Sequence, residues 1–296
     1  MRITNSIIQQ SSLNNIQGNL KKIHEAQERV SSGKRLLRAS DDPVGAAESM
    51  RARGSLRALD QYRRGVQTAT SRATTEEQAL DHVSGLLVRA RELATMFGSD
   101  TSSTSRQLGR VEVQELLREA VAAANTRSDS GYLFGGMDGA TQPYDIDDTG
   151  PDLDFTSTSP TGQNYVDISE HQRVITNHNG TEVFEDTGVL AALRDLAIAL
   201  NNDDTEEIKA VMTDLDDAFE ATQSLLGEVG ARTNHLQVTS ANLDALEVNL
   251  LTLKSDIEEV DIEKSITELV GRQTSFQAAL LATSQVMNLT LANYLR

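Results

Sequence analysis

The 296-residue chain has no cysteine, which removes disulfides, thiol nucleophiles and thiolate-held metals and leaves the redox compartment unspecified. Tryptophan is also absent, prolines number 4 and aromatics reach only 4%. With 38% hydrophobic residues, such a chain is thin for a broad core and leans towards helices that bury narrow stripes. Positive charge is short as well: 27 Lys and Arg face 44 Asp and Glu, a formal charge of −17. A nucleic-acid binder needs a basic face to displace counterions, so the balance argues against that class. No stretch approaches the roughly 18 apolar residues of a membrane-spanning helix. The opening, MRITNSIIQQSSLNNIQGNL, lacks the apolar segment and cleavage site of a signal peptide.

Residues that could carry chemistry form no working pattern. His24, His82, His171, His178 and His235 make no HxxxH or HExxH pair and read as exposed polar residues. Gly135-Gly136 and Gly139 complete neither a dinucleotide fingerprint nor a Walker loop, and no nucleophile elbow occurs. Asp145-Ile146-Asp147-Asp148-Thr149-Gly150 opens like a calcium loop, but Thr156 stands where the bidentate Glu is needed. The expectation is no catalytic, cofactor-binding or metal residue, and no enzyme.

What is present is helical patterning. Leu13, Ile16, Leu20, Ile23, Gln27 and Val30 alternate by 3 and 4, Ile3 and Ile7 extend the stripe upstream, and Ser31-Ser32-Gly33 stops it. Such a helix over 3–30 is about 40 Å long. Leu236, Thr239, Leu243, Leu246, Leu250, Leu253, Ile257 and Val260 repeat the pattern. Ile262, Ile266, Leu269, Phe276, Leu280, Met287, Leu291 and Leu295 carry a looser stripe onward. No proline follows Pro160, so nothing forbids helix from about 189. Between Pro43 and Pro143 the chain also reads as mostly helical, interrupted by a polar loop at 98–103.

The middle differs. Pro143, Pro151 and Pro160 lie there, with six aromatics between Tyr132 and Phe184. Tyr165–Ile168 alternates like a strand, and the segments 173–176 and 181–184 flank an Asn179-Gly180 hairpin signal. Charge is uneven too. Residues 1–72 hold 13 basic and 6 acidic residues, and 138–188 hold 11 acidic and one basic. A basic start and an acidic remainder favour antiparallel pairing of the two ends.

The fold expected is mainly α with a small β insertion: an elongated antiparallel helical rod, nested as an N- and C-terminal coiled coil, plus an outer β module. Its domains are 1–42 with 262–296, 43–136 with 188–261, and 137–187. The stripe over 236–260 reads equally as an ordinary intramolecular coiled coil, and a cytoplasmic coiled-coil scaffold or adaptor is the rival from another class. At the ends, Ile7 beside Ile8 and Leu280 beside Leu281 widen the apolar face past one seam, which points to partners on a second side.

Four segments carry a resemblance. Glu28-Arg29-Val30-Ser31-Ser32-Gly33-Lys34-Arg35-Leu36, followed by Ala39-Ser40-Asp41-Asp42-Pro43-Val44-Gly45-Ala46-Ala47, resembles the flagellin-type motif at the end of the N-terminal helix. Tyr132-Leu133-Phe134-Gly135-Gly136 is similar to the helix-to-hairpin junction of the same superfamily, and 230–236 to the start of its long C-terminal helix. The segments 277–286 and 291–295 are similar to its tail. Within that superfamily, Met1-Arg2-Ile3-Thr4, the small middle region and Asn293-Tyr294-Leu295 resemble the hook–filament junction branch. Val88–Ala94 is similar to a flagellin helix recognised by an innate immune receptor, without separating the branches.

The resemblance implies a structural protein of the bacterial flagellum without cofactors. It would be secreted by the flagellar type III apparatus without a cleaved signal peptide, and be bound by a cytoplasmic chaperone at its C-terminal helix. It would form a ring of copies on the first hook-associated protein, on which flagellin then adds, with no nucleic-acid or membrane partner. A short flagellin forming the bulk filament is the alternative. On this reading Ile3, Ile7, Leu13, Ile16, Leu20, Ile23, Leu280, Met287, Leu291 and Leu295 serve intersubunit packing in an axial core. Leu243, Leu246, Leu250, Leu253 and Ile257 hold the intramolecular rod, and the acidic 138–188 segment faces outwards.

Overall fold

Few residues in this chain can break a helix, and the helices of the computed structural model run between them. It describes residues 2–99, 102–128, 131–147, 153–158 and 160–294. Helix α1 spans Arg2–Ser32 and ends at Gly33, whose φ of 68° suits a residue without a side chain. Helix α2, Pro43–Phe97, opens with Pro43 in its first turn, where its missing N–H costs nothing. Asp42 caps this helix, accepting from the Gly45 backbone at 2.9 Å. Helix α3, Ser103–Ala124, follows the polar loop and is capped by the Ser102 hydroxyl.

Short strands come next: β1 Arg127–Ser128, β2 Gly131–Tyr132, β3 Tyr144–Asp147, β4 Asp154–Ser157, β5 Tyr165–Ser169 and β6 Gln172–Ile175. They form three separate antiparallel pairs, β1–β2, β3–β4 and β5–β6. Helices α4 Val189–Asn202, α5 Thr205–Glu258 and α6 Ile262–Tyr294 complete the chain. The mainly helical class with a small β component is as expected.

Three local expectations are corrected. Asn179-Gly180 does not turn a hairpin: β5 and β6 are joined at Glu170-His171, and 181–185 form a π-helical turn. Asn179 instead caps that turn, accepting from Glu182 N at 2.9 Å. Gly180 sits in right-handed helical geometry, donating to Phe134 O at 2.8 Å, and a Cβ there would lie 2.7 Å from Pro160 Cγ. The glycine serves close approach rather than reversal. Secondly, residues 230–236 lie inside α5 and do not begin it. Thirdly, the helical run from 189 breaks twice. Asp203 adopts φ 59° while Asp204 caps α5 through Glu206 N at 2.9 Å, and Asp261 caps α6 through Lys264 N at 3.0 Å.

The chain divides into two compact units: residues 1–58 with 245–296, and residues 59–244. In the second unit a continuous core runs from Ala73 to Val229, drawing on α2, α3, α4 and α5. Leu133, Phe134, Tyr144, Val183 and Phe184 of the middle region belong to the same cluster. Phe134 and Phe184 meet edge to face at 5.2 Å, and Tyr144 meets Phe184 at 5.7 Å. The strand region thus shares the helical core. In the first unit α1 and α6 pack against each other, and its described buried apolar residues are Ala26, Ala52 and Ile257.

Candidate assembly faces

The first unit presents apolar surface of the kind that the paired ends predict. On α1, Ile7 is 60% exposed, Leu13 and Leu20 are also exposed, and Ile16 and Ile23 are half-buried. On α6, Leu280 and Leu281 are exposed, the latter at 67%, as are Ile262, Ile266 and Val270. Two helices in contact cover one seam, and residues that widen the stripe beyond it stay open. Ile3, Met287 and Leu291 lie on α1 and α6 with their side chains outside the described part, and Leu295 lies outside the described residues.

The α5 stripe divides. Leu243 and Ile257 are buried and Leu250 is half-buried, whereas Leu246 and Leu253 are each 48% exposed. Leu246 and Leu253 are thus only partly covered among the described residues.

Beside these faces the flagellin-type motif builds a clasp. The loop after α1 meets the break between α5 and α6: Arg35 N donates to Glu258 O at 2.7 Å, and Val260 N to Gly33 O at 3.0 Å. The Arg35 guanidinium donates twice to Ile257 O, at 3.1 and 2.9 Å, and pairs with Asp42 at 3.3 Å. On the other side, Glu258 Oε1 accepts from Ser49 Oγ at 2.5 Å and Arg53 Nε at 2.7 Å. Its hydrogen bond to Arg53 outweighs the penalty of burial, and with Ser49 helping, its pKa falls to about 2. The Gly45 backbone bond holds Asp42 below its usual range against partial desolvation, with Arg35 assisting.

The motif is visible in the sequence, whereas the roles of Ser49, Arg53 and Glu258 are not. Nothing in the acidic run Asp256-Ile257-Glu258-Glu259 at the end of a heptad stripe announces partners some 200 residues away. The available signal was local: an Asp-Pro pair at a helix start. The clasp joins two segments of the same chain. Among the described residues no cluster of three or more His, Asp or Glu could hold a metal ion, and no helix is long and apolar enough to cross a membrane.

The family model for the bacterial flagellin N-terminal helical region matches residues 3–138, and that for the C-terminal helical region matches 212–295. By sequence the chain is similar to flagellin from Bacillus subtilis (strain 168), 28% identical over 301 residues that cover 96% of both chains. It is also similar to flagellar hook-associated protein 3 from Escherichia coli K12, 22% identical with 98% of both chains covered. Its fold is similar to the crystal structure of the flagellar junction protein FlgL from Legionella pneumophila. There the TM-score is 0.58 at 17% identity, with 72% of this chain and 100% of that chain covered. The chain belongs to the bacterial flagellin family and is a structural component of the flagellum, not an enzyme.

Proposed function

We propose that the chain is a subunit of the hook–filament junction, where a ring of copies assembles on the first hook-associated protein and serves as the platform for flagellin. The observation that carries this reading is the uncovered apolar surface of α1 and α6. Such surface is covered when copies dock side by side, and burial at roughly 25 cal/mol per Å² offsets the entropy of ordering the helices. Ile3, Ile7, Leu13, Ile16, Leu20, Ile23, Leu280, Met287, Leu291 and Leu295 form the intersubunit set, joined by Leu246 and Leu253. Leu243, Leu250 and Ile257 remain intramolecular. The fold likeness to a junction protein supports this place in the flagellum. The same reading includes secretion without a cleaved signal peptide and a cytoplasmic chaperone at the C-terminal helix.

A second reading, a flagellin of the bulk filament, is favoured by the full-length similarity to the Bacillus subtilis flagellin. Gene deletion separates the two. A junction subunit leaves an intact hook, no filament, and flagellin of another sequence released into the medium. Filaments that persist in the deletion strain, or loss of the secreted filament protein itself, overturn the junction reading.

A further inference from the structure

Three segments of the second unit meet at one buried charge. Glu76 on α2 is 0% exposed, in a series with Ala69, Ala73, Leu80, Val83 and Leu87, all of them buried apolar residues. A carboxylate in such a position must be paired and hydrogen-bonded. It accepts from Arg232 Nη1 of α5 at 3.2 Å and from the His178 backbone N–H at 3.2 Å, and His178 Nδ1 lies 2.5 Å from it. The expectation that His178 is exposed is thereby corrected, because this carboxylate draws it inside. Nδ1 facing a carboxylate carries the proton, which leaves Nε2 as the atom that titrates.

Nε2 has two neighbours one turn apart on α5. Arg232 Nη2 lies at 3.1 Å and Glu228 Oε2 at 3.4 Å. An arginine only donates and an ionised glutamate only accepts. A neutral ring therefore accepts from Arg232, and a protonated ring donates to Glu228. We propose that His178 is a proton-operated toggle. Its outer nitrogen exchanges Arg232 for Glu228 and so sets how firmly residues 176–180, which return the chain from the strands, are held to α2 and α5.

The charged groups facing the ring are Glu76, with Arg72 beside it on α2, and Glu228 and Arg232 on α5. Burial disfavours the charged ring, but the hydrogen bond and charge of Glu76, aided by Glu228, outweigh both burial and the opposing Arg232. The net effect holds the pKa above the ordinary 6.5. A raised folded-state pKa means the proton stabilises the fold. That contribution is complete below 6.5 and is lost as pH rises through the raised value. The segment is thus held most firmly in mild acid. Loosening would reach β5, since Asn164 N donates to Asn177 Oδ1 at 2.8 Å and Thr176 N to Asn164 O at 2.9 Å.

The test uses the full chain, with His178 ring signals followed by NMR through a pH titration. Hydrogen exchange at the Thr176 and His178 amides is read alongside, corrected for the intrinsic pH dependence. The midpoint is expected above 6.5, and exchange should rise several-fold as pH passes through it. Glu228→Gln, a change at a largely exposed side chain, should lower the midpoint and flatten the exchange step. Arg232→Gln should raise the midpoint. A midpoint at or below 6.5, or a Glu228→Gln chain that titrates and exchanges like the wild type, overturns the toggle.

Discussion

The two units solve the problem of apolar surface in opposite ways. Residues 59–244 gather theirs into one core, whose aromatic centre is Phe134, Tyr144 and Phe184. Residues 1–58 with 245–296 contribute no member to that cluster. They nevertheless hold 14 of the 21 large apolar side chains that are exposed among the described residues. The smaller unit therefore leaves the greater share of its oily surface open. Stability of one kind is internal to the chain. On the proposed reading, the other kind belongs to contacts with further copies.

Removing either terminal helix, 1–32 or 262–296, is expected to have the largest effect. Incorporation into flagella should be lost completely, while the second unit keeps its cooperative thermal transition by circular dichroism. Flagella that still contain the shortened chain would break the comparison. Next come paired truncations. Leu117→Ala or Leu193→Ala in the core should cost about 2–5 kcal/mol in denaturant unfolding. Leu13→Ala or Leu280→Ala should stay within about 0.5 kcal/mol for the isolated chain and still reduce incorporation. Equal costs at the two sets of sites would erase the distinction.

Glu258→Gln sharpens the picture within the first unit. It removes charge-assisted bonds to Ser49 and Arg53 and should cost about 1–3 kcal/mol, read as faster exchange at the Arg35 and Val260 amides. In the wild type the clasp contribution is complete above the ordinary glutamate value of 4.5 and disappears as pH falls through about 2. The variant should lack that acid-dependent step. The smallest effect belongs to Arg173→Ala. Its pair with Asp167 at 2.7 Å is exposed on both sides, and less than about 1 kcal/mol should register in thermal unfolding.

Much of the fold was legible because helices announce themselves over many residues. The α1 stripe and its stop at Gly33 needed only local spacing and one backbone-permissive residue. The break at Asp203 was hidden because its cause is distant. Arg106 on α3 is buried, donates to Phe97 O at 3.2 Å and pairs with Asp203, holding the turn in place. Asn179-Gly180 misled for the same reason, since Pro160 and Phe134 decide its geometry. Glu76 left a clue, a lone acid at a heptad position among apolar neighbours, but its partners His178 and Arg232 come from far along the chain. The exposed faces of α1 were legible as surplus width, and the Glu258 clasp was not.

The pairing of α1 with α6 has a consequence for timing. The two segments are separated by more than two hundred residues, so neither can find its mate until synthesis and delivery have passed residue 262. A polypeptide interrupted anywhere in between arrives with its leading helix bare. In the proposed ring, docking surfaces built from both ends would act as a certificate of completeness, granted only to molecules that have come through whole.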